Sequence, residues 1–130
     1  MAGYTIKHVE EVPDVLGDYP GEMRLCTDAL GTEQVAFTYR RMPAGTGGKG
    51  SYGHRHKEQE ELYFVMSGKL EFKLEDEVTE LPKGTVVKVP PEVARSVWNE
   101  GPEDAELVIV SKRVPDVSQD VEHVPDFWPA

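Results

Sequence analysis

The stretch GKGSYGHRHKEQEELYFVMSG, residues 48–68, is the most informative part of the chain. It contains two histidines, His54 and His56, two positions apart, and Glu61 follows five positions after the second. Alternate residues of a β-strand point to the same face, so a strand here presents both imidazoles side by side. If Glu61 returns on the next strand, it completes a set of two nitrogens and one oxygen. Such a set suits a first-row transition metal and leaves coordination positions open for substrate or dioxygen.

Taken alone, this pattern also fits a charged loop that is simply solvated. The spacing of the glycines around it favours a structural interpretation. Gly48, five residues, His-x-His, four residues, Glu61, six residues and Gly68 resemble the first motif of the cupin superfamily.

A second stretch resembles the other cupin motif and departs from it at two positions. Gly84, Pro90 and Asn99 match that motif, and fifteen residues separate Gly68 from Gly84. Glu92 stands where the family has glycine. Arg95 stands where the family has its fourth metal ligand, a histidine. Two linked motifs at this separation indicate the fold, but a fold by itself does not define an activity.

The resemblance covers roughly residues 33–112 and implies an all-β fold, a cupin jelly roll or double-stranded β-helix barrel. A single domain is expected over residues 1–130. Its core would be about 33–112, with an N-terminal arm at 1–32 and a C-terminal tail at 113–130. Small cupins are often dimers, so the resemblance also implies a homodimer.

Arg95 leaves three interpretations open. A guanidinium stays protonated and does not ligate a cation, and at about 5 Å and an effective dielectric of about 20 it would repel a divalent ion by on the order of 6 kcal/mol. In the first interpretation, His54, His56 and Glu61 hold a metal while Arg95 binds an anionic group of a ligand, such as a carboxylate. In the second, Arg95 pairs with Glu61 and no metal binds. In the third, the alignment is locally shifted and Arg95 faces solvent.

The alternation of residues from Glu61 onward, in the predicted strand 61–65, indicates which side chains line the interior of the barrel. Glu61, Tyr63 and Val65 share one face of this strand, and the residues between them share the other. If Glu61 and Arg95 point inward, Tyr63 helps to line a ligand pocket. The alternative is that Tyr63 is an ordinary core aromatic.

Sequence patterns also predict the surrounding elements. Strands 61–65 and 69–74 are expected to form a hairpin, with Gly68 in its turn. The chain after Pro115 is predicted to be irregular, and Phe127-Trp128 at its end either folds back over the barrel mouth or packs on a second subunit. One turn of helix is expected near 13–16, and further short strands are expected at 4–9, 24–26, 33–42, 78–81, 85–89, 95–98 and 107–112.

Composition limits the partners. The net charge of −10 repels phosphate backbones and anionic lipid, so neither nucleic acid nor a membrane is expected to bind. No apolar run is long enough to cross a bilayer, and the first residues lack the apolar segment of a signal peptide. Cys26 is the single cysteine, which favours a cytoplasmic protein.

Two functions follow as hypotheses. In the first, a divalent transition metal (Fe, Mn, Ni or Zn) at His54, His56 and Glu61 supports oxygenase or isomerase chemistry on a small anionic molecule. In the second, the chain is a metal-free, non-catalytic cupin that binds a small molecule, with Arg95 replacing the fourth ligand.

Overall fold

The computed structural model describes residues 3–130; Met1 and Ala2, which belong to the expected N-terminal arm, lie outside the described residues. The described chain is built almost entirely of short strands. In chain order its elements are a 3-10 helix (Val9–Glu11), β1 (Glu22–Leu25), α1 (Cys26–Leu30), β2 (Val35–Met42), β3 (Thr46–Gly47), β4 (Ser51–His56), β5 (Glu61–Ser67), β6 (Lys69–Leu74), β7 (Glu77–Pro82), β8 (Val86–Val89), β9 (Arg95–Asn99), β10 (Ala105–Lys112), α2 (Val117–Asp120) and β11 (Val121–Trp128).

These strands form two antiparallel sheets. The first sheet has the order β1-β2-β10-β5-β8, and the second has the order β11-β4-β9-β6-β7, with β3 paired to β9. From β4 onward the chain changes sheet at every connection except the β6–β7 hairpin, so most strands that are neighbours in sequence face each other across the interior. The predicted all-β jelly roll is confirmed.

The core lies between the two sheets and follows the alternation of β5. Its inward residues, Glu61, Tyr63 and Val65, are buried, whereas Leu62, Phe64 and Met66 on the outer face are exposed by about two fifths. The other large side chains packed in this core are Met42, Leu70, Phe72, Val89, Val97 and Leu107.

The predicted hairpin between residues 61–65 and 69–74 is wrong, because β5 belongs to the first sheet and β6 to the second. Gly68 lies at the corner between them and has the positive φ that was expected, +69°. A Cβ at this position would approach the carbonyl oxygen of Asp104 to 2.7 Å. The corner carries the chain across the core, and β6 forms its hairpin with β7 instead. A glycine turn between two amphipathic runs does not distinguish these two arrangements.

The expectation of an irregular tail is also wrong. Residues 121–128 pair with β4, and Trp128 is 4% exposed. The Phe127 ring lies against Gly53, where a Cβ would come within 2.4 Å of it, and the ammonium of Lys73 lies 4.1 Å from the ring centroid. The aromatic end therefore folds back on its own chain. Strand pairing and burial of two aromatic side chains outweigh the acidic composition on which the expectation rested.

The N-terminal arm differs from the sequence expectation as well. Residues 4–8 form no strand, and the helical turn lies at Val9–Glu11 rather than near 13–16, with His8 as its cap. Asp14 forms a single β-bridge with Arg24, which holds the arm beside β1. No helix within residues 3–130 is both long enough and apolar enough to span a membrane.

Candidate metal centre

Two adjacent strands in the chain bring three potential ligands together at the inner surface. His54 and His56 share one face of β4, and Glu61 is the first residue of β5. The Oε1 atom of Glu61 lies 3.7 Å from His54 Nε2 and 3.4 Å from His56 Nε2. One donor atom from each of the three residues lies within 4.8 Å of the other two. This set could hold a metal ion.

The orientation of His56 is set by Asp120, the last residue of α2. The His56 ring shares a 2.9 Å hydrogen bond between Nδ1 and Asp120 Oδ2. Asp120 also accepts hydrogen bonds from the backbone amides of Glu58 and Gln59, at 2.7 and 3.2 Å. A carboxylate at Nδ1 favours the tautomer with the proton there, which leaves the Nε2 lone pair directed at the cluster. His56 Nε2 is buried and has no hydrogen-bond partner among residues 3–130.

Sequence reasoning missed Asp120. It lies 64 positions after His56 in a segment that was predicted to be irregular. One of several acids in an acidic tail carries no local signal of a role, and only the pairing of β11 with β4 brings this one to the site.

Tyr63 is a buried core aromatic that also contacts the cluster, and its role in ligand binding remains a prediction. Its hydroxyl donates a 2.6 Å hydrogen bond to Glu61 Oε1. Its ring packs edge-on against Phe72, with centroids 5.3 Å apart. Burial, together with the nearby charge of Glu61, raises the pKa of Tyr63 well above its usual value. The hydroxyl therefore remains a proton donor to the carboxylate at any ordinary pH.

The charge states of the cluster follow from the same contacts. Burial raises the pKa of Glu61, but its interactions with His54, His56 and Tyr63 outweigh burial and hold that pKa well below its usual value. Burial lowers the pKa of His56, but Glu61 and Asp120 outweigh it, so the net pKa is raised. Glu61 is thus an anionic ligand at neutral pH.

Arg95 lies behind this cluster, with its side chain 0% exposed. Its Nε is 3.8 Å from Glu61 Oε1, and one terminal nitrogen donates to the carbonyl of Pro90 at 3.1 Å. Further contacts at 3.4 Å reach the carbonyls of Val89 and Pro91. The solvent-facing interpretation of Arg95 does not fit this burial. The predicted role of Arg95 in ligand binding remains a prediction, and its terminal nitrogens face backbone carbonyls.

A cavity of about 930 Å³ lies between the sheets, and His54, His56, Glu61 and Tyr63 form part of its wall, whereas Arg95 does not. The N-terminal arm and the segment before α2 complete the wall. The other polar and charged residues that line it are Tyr19, Thr27, Asp28, Thr38, Arg40, Ser51, Tyr52, Gln59, Ser96, Ser111, Arg113, Asp116 and Ser118. The cluster therefore faces a space large enough for a small molecule.

The donor set fits a first-row divalent ion. Two imidazole nitrogens and one carboxylate oxygen suit Fe, Mn, Ni or Zn, and the unpartnered His56 Nε2 already points to the place where the donors converge. The positive charge of Arg95 beside Glu61 opposes cation binding, and the negative charge of Glu61 offsets part of it.

Comparisons with known proteins agree with this architecture. The family model of the cupin domain matches residues 40–111. A cupin protein from Bacteroides fragilis is 20% identical, with a TM-score of 0.68 over 89% of each chain. A Klebsiella pneumoniae protein with a double-stranded β-helix domain is 19% identical, with a TM-score of 0.68 over 92% of this chain and 95% of that one.

A third solved structure is described as a sugar phosphate isomerase of the cupin superfamily from Silicibacter pomeroyi. It is 19% identical, with a TM-score of 0.73 over 97% of this chain and 96% of that one. No curated protein matches the chain. At these identities the solved structures establish the double-stranded β-helix fold alone.

Proposed function

We propose that this chain, which belongs to the cupin family, binds a transition metal through His54, His56 and Glu61 and acts there on a small molecule held in the cavity. The observation that carries this proposal is the convergence of three donor atoms, among them His56 Nε2, which is buried, lies 3.4 Å from Glu61 Oε1 and makes no hydrogen bond within the described residues. An unpartnered polar atom is costly inside a protein. A metal ion at the convergence point of the three donors removes that cost.

The metal would be Fe, Mn, Ni or Zn, and it would supply Lewis acidity or a dioxygen site to an isomerase or oxygenase reaction. The residues around it have separate tasks. Asp120 keeps the Nε2 lone pair of His56 available, and the hydroxyl of Tyr63 orients Glu61. The likeness to the Silicibacter pomeroyi sugar phosphate isomerase supports isomerisation and an anionic substrate.

A metal-free, non-catalytic binding protein is the second candidate. The 3.8 Å contact between Arg95 Nε and Glu61 Oε1 favours it, because the guanidinium already neutralises part of the carboxylate charge. In that case the cavity binds its small molecule without a Lewis acid. Metal content separates the two functions directly.

The decisive experiment is elemental analysis of untagged protein after separate loading with iron, manganese, nickel and zinc. Wild type is expected to retain one of these metals near stoichiometrically, and His56→Ala is expected to lose it. His8→Ala is the matched control, since His8 is exposed and caps the N-terminal 3-10 helix. Sub-stoichiometric metal in wild type under every loading condition would favour the metal-free function.

A homodimer is part of the same proposal. The outer face of β5 supports it, because Leu62, Phe64 and Met66 are exposed by 42, 40 and 38% on one sheet surface. Light scattering is expected to give twice the chain mass of 14.5 kDa at micromolar concentration. Phe64→Glu should shift the mass toward that of one chain. A wild-type mass near 14.5 kDa at all concentrations would contradict the dimer.

The last part of the proposal concerns the domain organisation of the protein and its cellular compartment. The chain is proposed to work as one domain in the cytoplasm, where Cys26, buried and without a disulfide partner, stays reduced. Cell fractionation with an antibody to the protein tests the location. Recovery in an extracellular fraction would contradict it.

A further inference from the structure

Arg40 on β2 directs a second charged group toward the cavity that contains the proposed metal centre. In the register of the first sheet, Arg40 lies opposite Leu107, which lies opposite Val65. Both neighbours are 0% exposed, so this row belongs to the inner face. The side chain of Arg40 lines the same cavity as His54, His56 and Glu61.

The guanidinium of Arg40 has no acidic partner. Its Nε is buried without a hydrogen bond, and no carboxylate in residues 3–130 lies within ion-pair distance of it. The titratable groups closest to it are the hydroxyls of Tyr19, Tyr63 and Tyr52, which carry no charge at neutral pH. Burial lowers the pKa of Arg40, but an arginine keeps its charge at any ordinary pH.

Other arginines of the chain show what ordinary pairing looks like. Arg24, Arg41 and Arg113 each approach a carboxylate oxygen to between 2.6 and 2.8 Å. The sequence contains 24 acidic residues, so acids are abundant. An inward cation that remains unpaired in so acidic a chain is costly to the folded protein unless something else neutralises it.

We propose that Arg40 binds the anionic group of the substrate, a carboxylate or a phosphate, through the paired N–H donors of its guanidinium. A planar guanidinium matches either oxyacid with two parallel hydrogen bonds. The inference rests on the proposed function in one respect: it assumes that the metal and Arg40 hold the same molecule. It assigns to Arg40 the anion-binding role that one of the three interpretations of the sequence gave to Arg95.

The sheet register also limits the shape of that molecule. Ser111 pairs with Ala36 on one side and with Glu61 on the other, so Ala36 and Glu61 lie at the same height in the sheet. Arg40 lies four residues farther along β2. Four residues span roughly 13 Å along a strand, and two strands span about 10 Å across the sheet. Even if the Arg40 side chain extends toward Glu61, several bonds must separate the anionic group of the substrate from the substrate atoms that lie near Glu61. An elongated hydroxylated or oxo acid, or a small phosphate ester, meets this requirement.

The test is calorimetric titration of metal-free protein with inorganic phosphate and, separately, with succinate. Arg40→Gln is expected to weaken binding of the preferred anion at least tenfold, about 1.4 kcal/mol. Arg40→Lys should retain part of the affinity, because it keeps the charge and loses the paired donors. Arg41→Gln is the control, since it removes the same charge from the same strand at a position paired with Glu22 and Asp104.

Metal content is measured in the same four proteins, which are wild type, Arg40→Gln, Arg40→Lys and Arg41→Gln. If wild type binds neither anion, or if Arg40→Gln and Arg40→Lys both bind as wild type does, the assignment of Arg40 is overturned. Metal retained in all four proteins would show that the metal centre survives that failure. If the Arg40 variants lose anion binding and no protein contains metal, the metal proposal fails and the assignment of Arg40 stands. The preferred titrant distinguishes a phosphate ester from a carboxylic acid.

Discussion

The two ends of the cavity treat their charged groups in opposite ways. Around Glu61 the charged groups lie close to one another: His56 Nδ1 meets Asp120, Glu61 accepts from Tyr63, and within residues 3–130 only His56 Nε2 and Arg95 Nε lack a hydrogen bond there. Around Arg40 no acid is present among the described residues, and Nε has no hydrogen bond. The first end is organised before anything binds. The second remains incomplete until an anion arrives.

This difference shows why residue type alone does not assign a role. Arg95 is fully buried and Arg40 is half-buried with its Nε inside, and both lie near the same cavity. The terminal nitrogens of Arg95 approach backbone carbonyls at residues 89–91, whereas the guanidinium of Arg40 contributes to the cavity wall. The partners already in place determine which of the two can take an external ligand.

The largest expected effect comes from removing the anionic ligand. Glu61→Gln should lower metal affinity at least a hundredfold, about 2.8 kcal/mol, because it removes the negative charge that offsets Arg95. Competition with a chelator of known affinity measures this loss. The control is Glu60→Gln, an exposed neighbour with the same charge change. Equal affinities in Glu61→Gln and wild type would mean that the metal binds elsewhere.

The next effect concerns the residue that positions His56. Asp120→Asn should weaken metal binding by about 10- to 100-fold, the usual loss when a group behind a metal-binding histidine is removed. Nitrogen NMR of the metal-free protein should show the His56 tautomer shift toward a proton on Nε2. Glu122→Gln, exposed on β11, is the charge-matched control. An unchanged His56 tautomer would show that Asp120 stabilises the C-terminal segment 113–130 and does not set the tautomer of His56.

A gain is expected at Arg95. Arg95→His removes a positive charge 3.8 Å from Glu61 Oε1 and adds a possible fourth ligand, so metal affinity should rise at least tenfold, about 1.4 kcal/mol. Arg95→Ala removes the charge without adding a ligand and should fall between Arg95→His and wild type. Equal metal affinity in all three proteins would show that Arg95 does not act on the centre.

Stability distinguishes the two arginines directly. Arg40→Met should raise the free energy of unfolding of the metal-free protein by on the order of 1 kcal/mol, because it removes an unpaired buried charge. Arg95→Met should lower it, since Glu61 then keeps its charge without the neighbouring guanidinium. Urea unfolding measures both changes. Destabilisation by Arg40→Met would indicate a partner for Arg40 inside the protein.

The smallest effect is a pH dependence of the metal-free protein. The folded pKa of His56 lies above 6.5, so the stabilisation from its protonated ring is present below about pH 6.5 and is lost as the pH rises through the folded pKa. The difference in free energy of unfolding between wild type and His56→Gln should therefore shrink at higher pH. Metal affinity should rise over the same window, because proton and metal compete for Nε2. A stability difference that grows with pH would contradict the contacts assigned to His56.

Local patterns in the sequence predicted much of the fold and part of the site. The two motifs indicated the family, and the alternation of residues 61–66 correctly separated the buried face of β5 from its exposed face. The His-x-His spacing placed both imidazoles on one face of β4. These features depend on neighbours within a few positions, which a sequence displays directly.

Two of the wrong predictions share one cause. The hairpin at Gly68 and the irregular tail after Pro115 both depend on which distant strand pairs with which, and β6 and β11 find their partners in the second sheet. Local composition does not contain that information, because turns and amphipathic runs are compatible with several pairings.

The sequence by itself therefore determined the family, the inner face of β5 and the three potential ligands, since each follows from short-range spacing. Only the tertiary structure decided that Asp120 supports His56, that Arg95 is held by backbone carbonyls and that Arg40 faces the cavity unpaired. The physical reason is that a charged side chain takes its role from the groups that surround it. Those groups come from strands far apart in the chain, brought together by sheet pairing.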